Sequence, residues 1–174
     1  TDSVLAVSGL HRGESPQPGG AVVESLRRVW PQLKVIGLCY DPMESGIYSN
    51  GPDRLDAAHL MPYPGTGPEP LLRRLKQLVA QEGVNAVVPC LDSELMNYLD
   101  IEQDLFALGV RVLLPARISL EAMAKTKLPE LCRSVDVPTP RIVLGNDAAT
   151  LAARALEIGD PCYETGRLYD ARAG

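Results

Sequence analysis

The chain has no basic excess: 17 Lys and Arg stand against 22 Asp and Glu, for a net charge of −5 over 174 residues. A surface that neutralises nucleic-acid phosphates needs the opposite balance, so nucleic acid is not an expected partner. Cysteine is sparse and scattered. Cys39, Cys90, Cys132 and Cys162 form no Cys-x-x-Cys pair, and each sits in an apolar context. Buried free thiols of a reducing compartment fit this spacing better than a disulfide framework. With only His11 and His59, and no Cys/His cluster, no metal site is expected. Apolar runs fall far short of the roughly 20 residues that cross a bilayer. No basic-then-apolar leader is present, so the expectation is a cytoplasmic protein with no membrane partner. The first residue is Thr1 rather than Met, and something upstream, at least an initiator, is expected to be missing.

Two nucleotide signatures are also lacking. There is no Walker A sequence, which excludes a P-loop. A dinucleotide fingerprint needs G-x-G-x-x-G packed into one tight turn. Here Gly9 and Gly13 are separated from Gly19 and Gly20 by "ESPQP", which is too long and too stiff. Asp41 lies 21 residues past Gly20, near where a ribose-binding acid would fall. One matching acid does not rescue the loop.

What is present is an alternation of β-type and helical patterns. "SVLAVS", "KVIGLCY", "NAVVP" and "VRVLLP" are near-continuous apolar runs of the kind found in strands covered on both faces. A weaker run at "HLMPYP" brings the expected total to about five, with ordinary strand lengths. Between them lie "GAVVESLRRVW", "EPLLRRLKQLVAQEG" and "DSELMNYLDIEQDLFALG", each with helical character. Leu71, Leu72, Leu75, Leu78 and Val79 repeat at helical spacing, Pro70 suits a first turn, and Gly83 and Gly109 sit where C-caps belong. The predicted fold is α/β, a Rossmann-like three-layer αβα arrangement around a parallel sheet. After Pro115 the pattern loosens into a short helix, a second helix broken near Pro129, the rigid "VPTPR", a strand, and a helix that Asp147 could cap. Pro115 to Ser119 is the best candidate for a domain edge.

Ligands of such sheets bind beyond the carboxyl ends of the strands. Gly9 to Gly20, Asp41 to Tyr48, Cys90 to Glu94, and Ala116 onward should gather there. Gly19 and Gly20 open a helix whose first N–H groups could hold an anion, or they simply let the chain turn tightly. Asp92 and Glu94 begin another helix directly after a strand. Capping explains them, and so does ligand contact. The loop "YDPMESGIYSNGPDR" is long and polar, a length often tied to function or mobility, but it does not name one.

At "AMAKTKLPELCRSVDVPTPR" the sequence becomes more specific. It resembles the junction of ATP-grasp enzymes, where a helix carrying a Lys leads into G-[IV]-P-x-P and a new strand. Lys125 and Pro138 are 13 positions apart, as in that junction. Upstream, "VVPCLDSELMNYLD" is similar to the pre-ATP-grasp domain of carbamoyl-phosphate synthase large chains, biotin carboxylases and related carboxylate–amine ligases. Downstream, "ALEIGDPCYETGRLYDA" looks like the family segment G-[YF]-P-[VC]-x-[VI]-K.

The resemblance implies a Rossmann-like pre-ATP-grasp domain over residues 1–116. Residues 117–174 would hold linker helices and the truncated beginning of an ATP-grasp domain. It implies that Lys125 contacts ATP phosphates, that Gly19, Gly20, Asp92 and Glu94 face substrate, and that no catalytic or metal residue lies in this chain. The complete enzyme would use ATP and Mg to phosphorylate a small-molecule carboxylate, with a homo-oligomer among the compatible assemblies. Two departures bear on this. Glu164 and Thr165 stand where the family has an apolar residue and a second Lys. Gly174 comes before the family's glycine-rich flap and its Mg-binding acidic and amide residues. This chain alone is therefore expected to bind no cofactor and to be inactive. The alternative is a non-catalytic binding or assembly module that kept the layered fold and lost the nucleotide site.

Overall fold

The computed structural model describes residues 3–124, 126–140, 142, 145 and 147–158. Among them are five strands: β1 (Val4–Val7), β2 (Lys34–Cys39), β3 (Ala57–Leu60), β4 (Ala86–Val88) and β5 (Arg111–Val112). All pair in parallel, in the order β3-β2-β1-β4-β5. The sheet and its helices make the Rossmann-like layering that the apolar runs predict.

Each face of the sheet is built by the two-residue period of a strand. Val4 and Ala6 of β1, with Ile36 and Leu38 of β2, face a core shared with α2 (Pro68–Glu82), α3 (Asp92–Asp100) and α4 (Glu102–Ala107). Leu5, Val7 and Val35 point the other way, toward Val23 of α1 (Gly19–Val29). Helix α2 fits because Leu71, Leu75 and Leu78 recur at one face, and all three are buried. Burying each stabilises the fold by about 1.5–3 kcal/mol. Gly109 ends α4 as anticipated: its φ of +79° suits a residue without Cβ, its N–H meets Phe106 O, and the Val110 N–H reaches Leu105 O. Gly83 closes α2 through a bond to Val79 O at 3.1 Å.

One connection differs from the sequence pattern, and another, the long polar loop, takes its order without an α-helix. The helical run after β4 is two helices rather than one. At Ile101 the backbone N–H bonds three residues back, to Tyr98 O, so the last turn of α3 tightens and α4 starts afresh. The crossover from β2 to β3 has no α-helix, only a 3-10 turn over Ser45–Tyr48. Pro42, Gly46, Gly51 and Pro52 interrupt any helix there, and side chains supply the order. Glu44 Oε1 accepts from the N–H of Tyr40 at 2.6 Å, Tyr48 Oη donates to Pro42 O at 2.6 Å, and Ser49 Oγ donates to Asp53 Oδ1 at 2.6 Å.

The chain divides into two compact units, the second beginning at Pro115. Its helices are α5 (Arg117–Ala122), α6 (Leu128–Ser134) and α7 (Ala148–Ile158). Pro129 lies in the first turn of α6, so it starts this helix rather than breaking it. The helix ends with the paired bonds of a Schellman motif, Asp136 N–H to Arg133 O and Val137 N–H to Cys132 O. Asp136, at φ +54°, stands where glycine is usual. Asp147 caps α7 by accepting from Thr150 N–H at 2.9 Å. Thr150 Oγ1 also donates to Asp147 Oδ2 at 2.7 Å, and the two bonds hold the Asp147 carboxyl below its ordinary value. The strand anticipated after "VPTPR" and the one after α7 fall largely outside the described residues.

Candidate functional site

The carboxyl ends of β1, β2 and β4 lie side by side because those strands are neighbours in the sheet. The residue that follows each strand turns the chain into a loop. Ser8 follows β1, Tyr40 follows β2, and Cys90 comes two residues after β4.

One carboxylate connects all three. Glu94, in the first turn of α3, is 1% exposed. Its Oε1 accepts from Ser8 Oγ, from Cys90 N–H at 3.0 Å and from Leu91 N–H at 3.1 Å, and its Oε2 accepts from Tyr40 Oη. Cys90 N–H also reaches Ser8 Oγ at 2.8 Å. Reaching back to Leu91 is what a glutamate at the third helical position does in a capping box. Burial pushes the Glu94 carboxyl above its ordinary value, although all four of these donors pull the other way. Burial, then the Glu94 charge, raises the neighbouring Cys90 thiol to about 11. The Tyr40 phenol is raised by the same two causes.

The glycine pair lies at the start of α1. Gly19 N–H donates to Gly9 O at 2.8 Å, so it is already used within the protein. A Cβ on Gly19 would run into the carbonyls of both Ser8 and Gly9, so the helix start is pressed against the exit of β1. Beside Gly20 is an internal anion. Asp53 Oδ2 is 3.2 Å from where a Gly20 Cβ would be. The Asp53 side chain is 3% exposed, and it pairs with the half-exposed Arg12. Burial raises the Asp53 carboxyl, but the Ser49 hydroxyl, backbone and Arg12 bonds outweigh it and leave it below its ordinary value. Arg12 N–H donates to Ser45 Oγ at 2.9 Å, so the loops after β1 and β2 are joined by backbone as well as by charge.

The structure thus brings Gly19 and Glu94 together around Ser8, with Gly20 one step away beside Asp53. Asp92 is exposed at the start of α3. Lys125, Glu164, Thr165 and Cys162 lie outside the described residues. Cys39, Cys90 and Cys132 are free thiols. Among the described residues no group of three or more His, Cys, Asp or Glu is placed to hold a metal ion, and no helix is long and apolar enough to cross a membrane. Sequence reasoning missed Ser8, Arg12, Tyr40 and Asp53. The one available signal was Ser8, a small hydroxyl closing an otherwise apolar strand.

This strand order, with the loops after β1, β2 and β4 drawn together at the strand ends, is that of a Rossmann-like layer. No family model matches the chain, and no curated protein does. Solved structures do match. The biotin carboxylase domain of a single-chain bacterial carboxylase is similar over 89% of this chain, with 16% identity and a TM-score of 0.52. The biotin carboxylase domain of Hydrogenobacter thermophilus 2-oxoglutarate carboxylase, crystallised as a dimer with MgADP, ADP and bicarbonate, is similar over 90% with 18% identity and a TM-score of 0.52. The chain spans 34% and 33% of those two structures. The fold is therefore shared with the N-terminal domain of biotin carboxylases, which are ATP-grasp proteins, as the resemblance implies.

Proposed function

We propose that this chain is the N-terminal part of an ATP-dependent ligase of the ATP-grasp superfamily, carboxylate–amine or carbamoyl-phosphate-synthase-like. Its role is to present one wall of the substrate site. The observation that supports this best is the knitting together of the loops after β1, β2 and β4 at the strand ends, where sheets of this order bind ligands. The exposed groups of that wall are Arg12 and Asp92, with the Gly20 helix start between protein-held charges. Lys125 reaches ATP phosphates in the complete enzyme. The residues described here do not supply a Mg ligand set, so no step through the metal is assigned to them.

In the complete enzyme the carboxylate attacks the γ-phosphoryl group of ATP, giving an acyl phosphate and ADP. An amine or another nucleophile then displaces phosphate. Transfer of ¹⁸O from a labelled carboxylate substrate into the released phosphate by the complete enzyme tests the reaction. Phosphate that gains no label from the carboxylate while product forms rules the acyl-phosphate route out. For the chain on its own, calorimetry with MgATP is expected to show no tight binding. Tight, Mg-dependent binding would overturn the assignment of the ATP site to the rest of the enzyme.

A further inference from the structure

Glu94 is buried among hydroxyls and amides, and among the described residues it forms no ion pair. A buried carboxylate is costly unless it is well hydrogen-bonded, so it is kept where the bonds do something that apolar packing would not. Its partners follow three different strands, β1, β2 and β4. Ser8 is 86 residues away and Tyr40 is 54, while Cys90 and Leu91 are local. Its bonds hold Ser8 and Tyr40, the first residues after β1 and β2, and Cys90 and Leu91, between β4 and α3.

We propose that Glu94 is a positioning residue of this edge. Its carboxylate sets the spacing of the loops that begin at Ser8, Tyr40 and Cys90, and ligand contact falls to the exposed groups around it. Two features favour this over direct contact. The side chain is 1% exposed, and its two oxygens already accept from four donors. Two features favour it over simple helix capping. Capping accounts for the Leu91 bond alone, and it does not require a tyrosine hydroxyl from just after β2 or a serine hydroxyl from just after β1. The positive end of α3 and the four donors lessen the cost of burying this carboxyl without cancelling it.

The inference rests on the edge being the binding face, but its test uses no ligand, so it can fail or stand separately from the proposed reaction. The full chain is followed by amide NMR and hydrogen exchange in four variants. Glu94→Gln keeps an acceptor for Leu91 and should leave the resonances of residues 9–18 and 41–56 near their wild-type positions. Glu94→Ala should move both loops and speed exchange at Leu91 by roughly tenfold relative to α2. Tyr40→Phe should disturb the 41–56 loop alone, and Ser8→Ala the 9–18 loop alone. If Glu94→Ala does not fold, the last two variants decide. The proposal is overturned if Tyr40→Phe and Ser8→Ala leave their own loops unchanged, or if Glu94→Gln disturbs both loops as much as Glu94→Ala.

Discussion

Replacing Gly19 with alanine sets two rules against each other. Helix propensity favours alanine inside a helix by about 1 kcal/mol, and the unfolded chain loses freedom in the same direction. The structure argues for the opposite sign. The new Cβ would be 2.6 Å from Gly9 O and closer still to Ser8 O, and both are backbone atoms that cannot swing aside. Clearing them means withdrawing the start of α1 from the end of β1, which also stretches the 2.8 Å bond from Gly19 N–H to Gly9 O. Overpacking of this kind costs about 1–3 kcal/mol, and a weakened hydrogen bond adds about 0.5–1.5 kcal/mol. After the propensity gain is subtracted, Gly19→Ala should lose roughly 1–3 kcal/mol. With a urea slope on the order of 1–3 kcal/mol/M, the unfolding midpoint should drop on the order of 1 M. Gly20→Ala is the internal control, because its Cβ would meet a single carboxylate oxygen at 3.2 Å and should cost less. A Gly19→Ala midpoint equal to or above wild type would refute the reasoning.

Three further outcomes are expected. Glu94 has a folded value raised above its ordinary 4.5, so the stability it contributes is full below that value and is lost as pH rises through the folded value. Glu94→Gln should therefore gain on wild type as pH rises through that window; a stability difference that stays flat with pH in urea titrations contradicts this. Asp53 is shifted the other way, below its ordinary 3.8, so its contribution is present at neutral pH and fades as acid protonates it. Asp53→Asn should lower the urea midpoint at pH 7 and flatten its acid dependence, whereas an unchanged midpoint at pH 7 argues against the Arg12 tie. Leu75, at 1% exposure between α2 and the sheet, should lose about 2–5 kcal/mol on truncation to alanine. A loss well under that range by chemical denaturation would mean the site collapses rather than leaving a cavity.

The parts of this fold that are local in sequence were legible. The buried strands announce themselves as runs such as "VLAV" and "KVIGLC", α2 by the spacing of Leu71, Leu75 and Leu78, and three helix ends by Gly83, Gly109 and Asp147. What escaped was set by contacts at long range. Arg12 and Asp53 are 41 residues apart, and Ser8 and Glu94 are 86 apart. No periodicity marks such pairs, since each depends on which strand ends the sheet places together. The break at Ile101 escaped for a different reason. The helical spacing of Tyr98, Ile101 and Leu105 continues through it, and all three are buried in one core, so the apolar pattern gives no sign of the interruption.

The helix-free crossover between β2 and β3 has a consequence for how this protein can change. Gly37, in the middle of β2, lacks a side chain, and a Cβ there would press on Leu10 and Leu55. Leu10 comes from the loop after β1 and Leu55 from the end of the crossover, so both loops also serve as cladding for the sheet where a helix would otherwise lie. In layered α/β proteins the loops at the strand ends can usually vary freely above a fixed scaffold. Here the two roles share the same segments. On the proposed reading of this edge as a ligand face, change is constrained by the need to keep the sheet dry, and it should proceed through Asp92 and the residues between His11 and Pro18 before it touches the crossover.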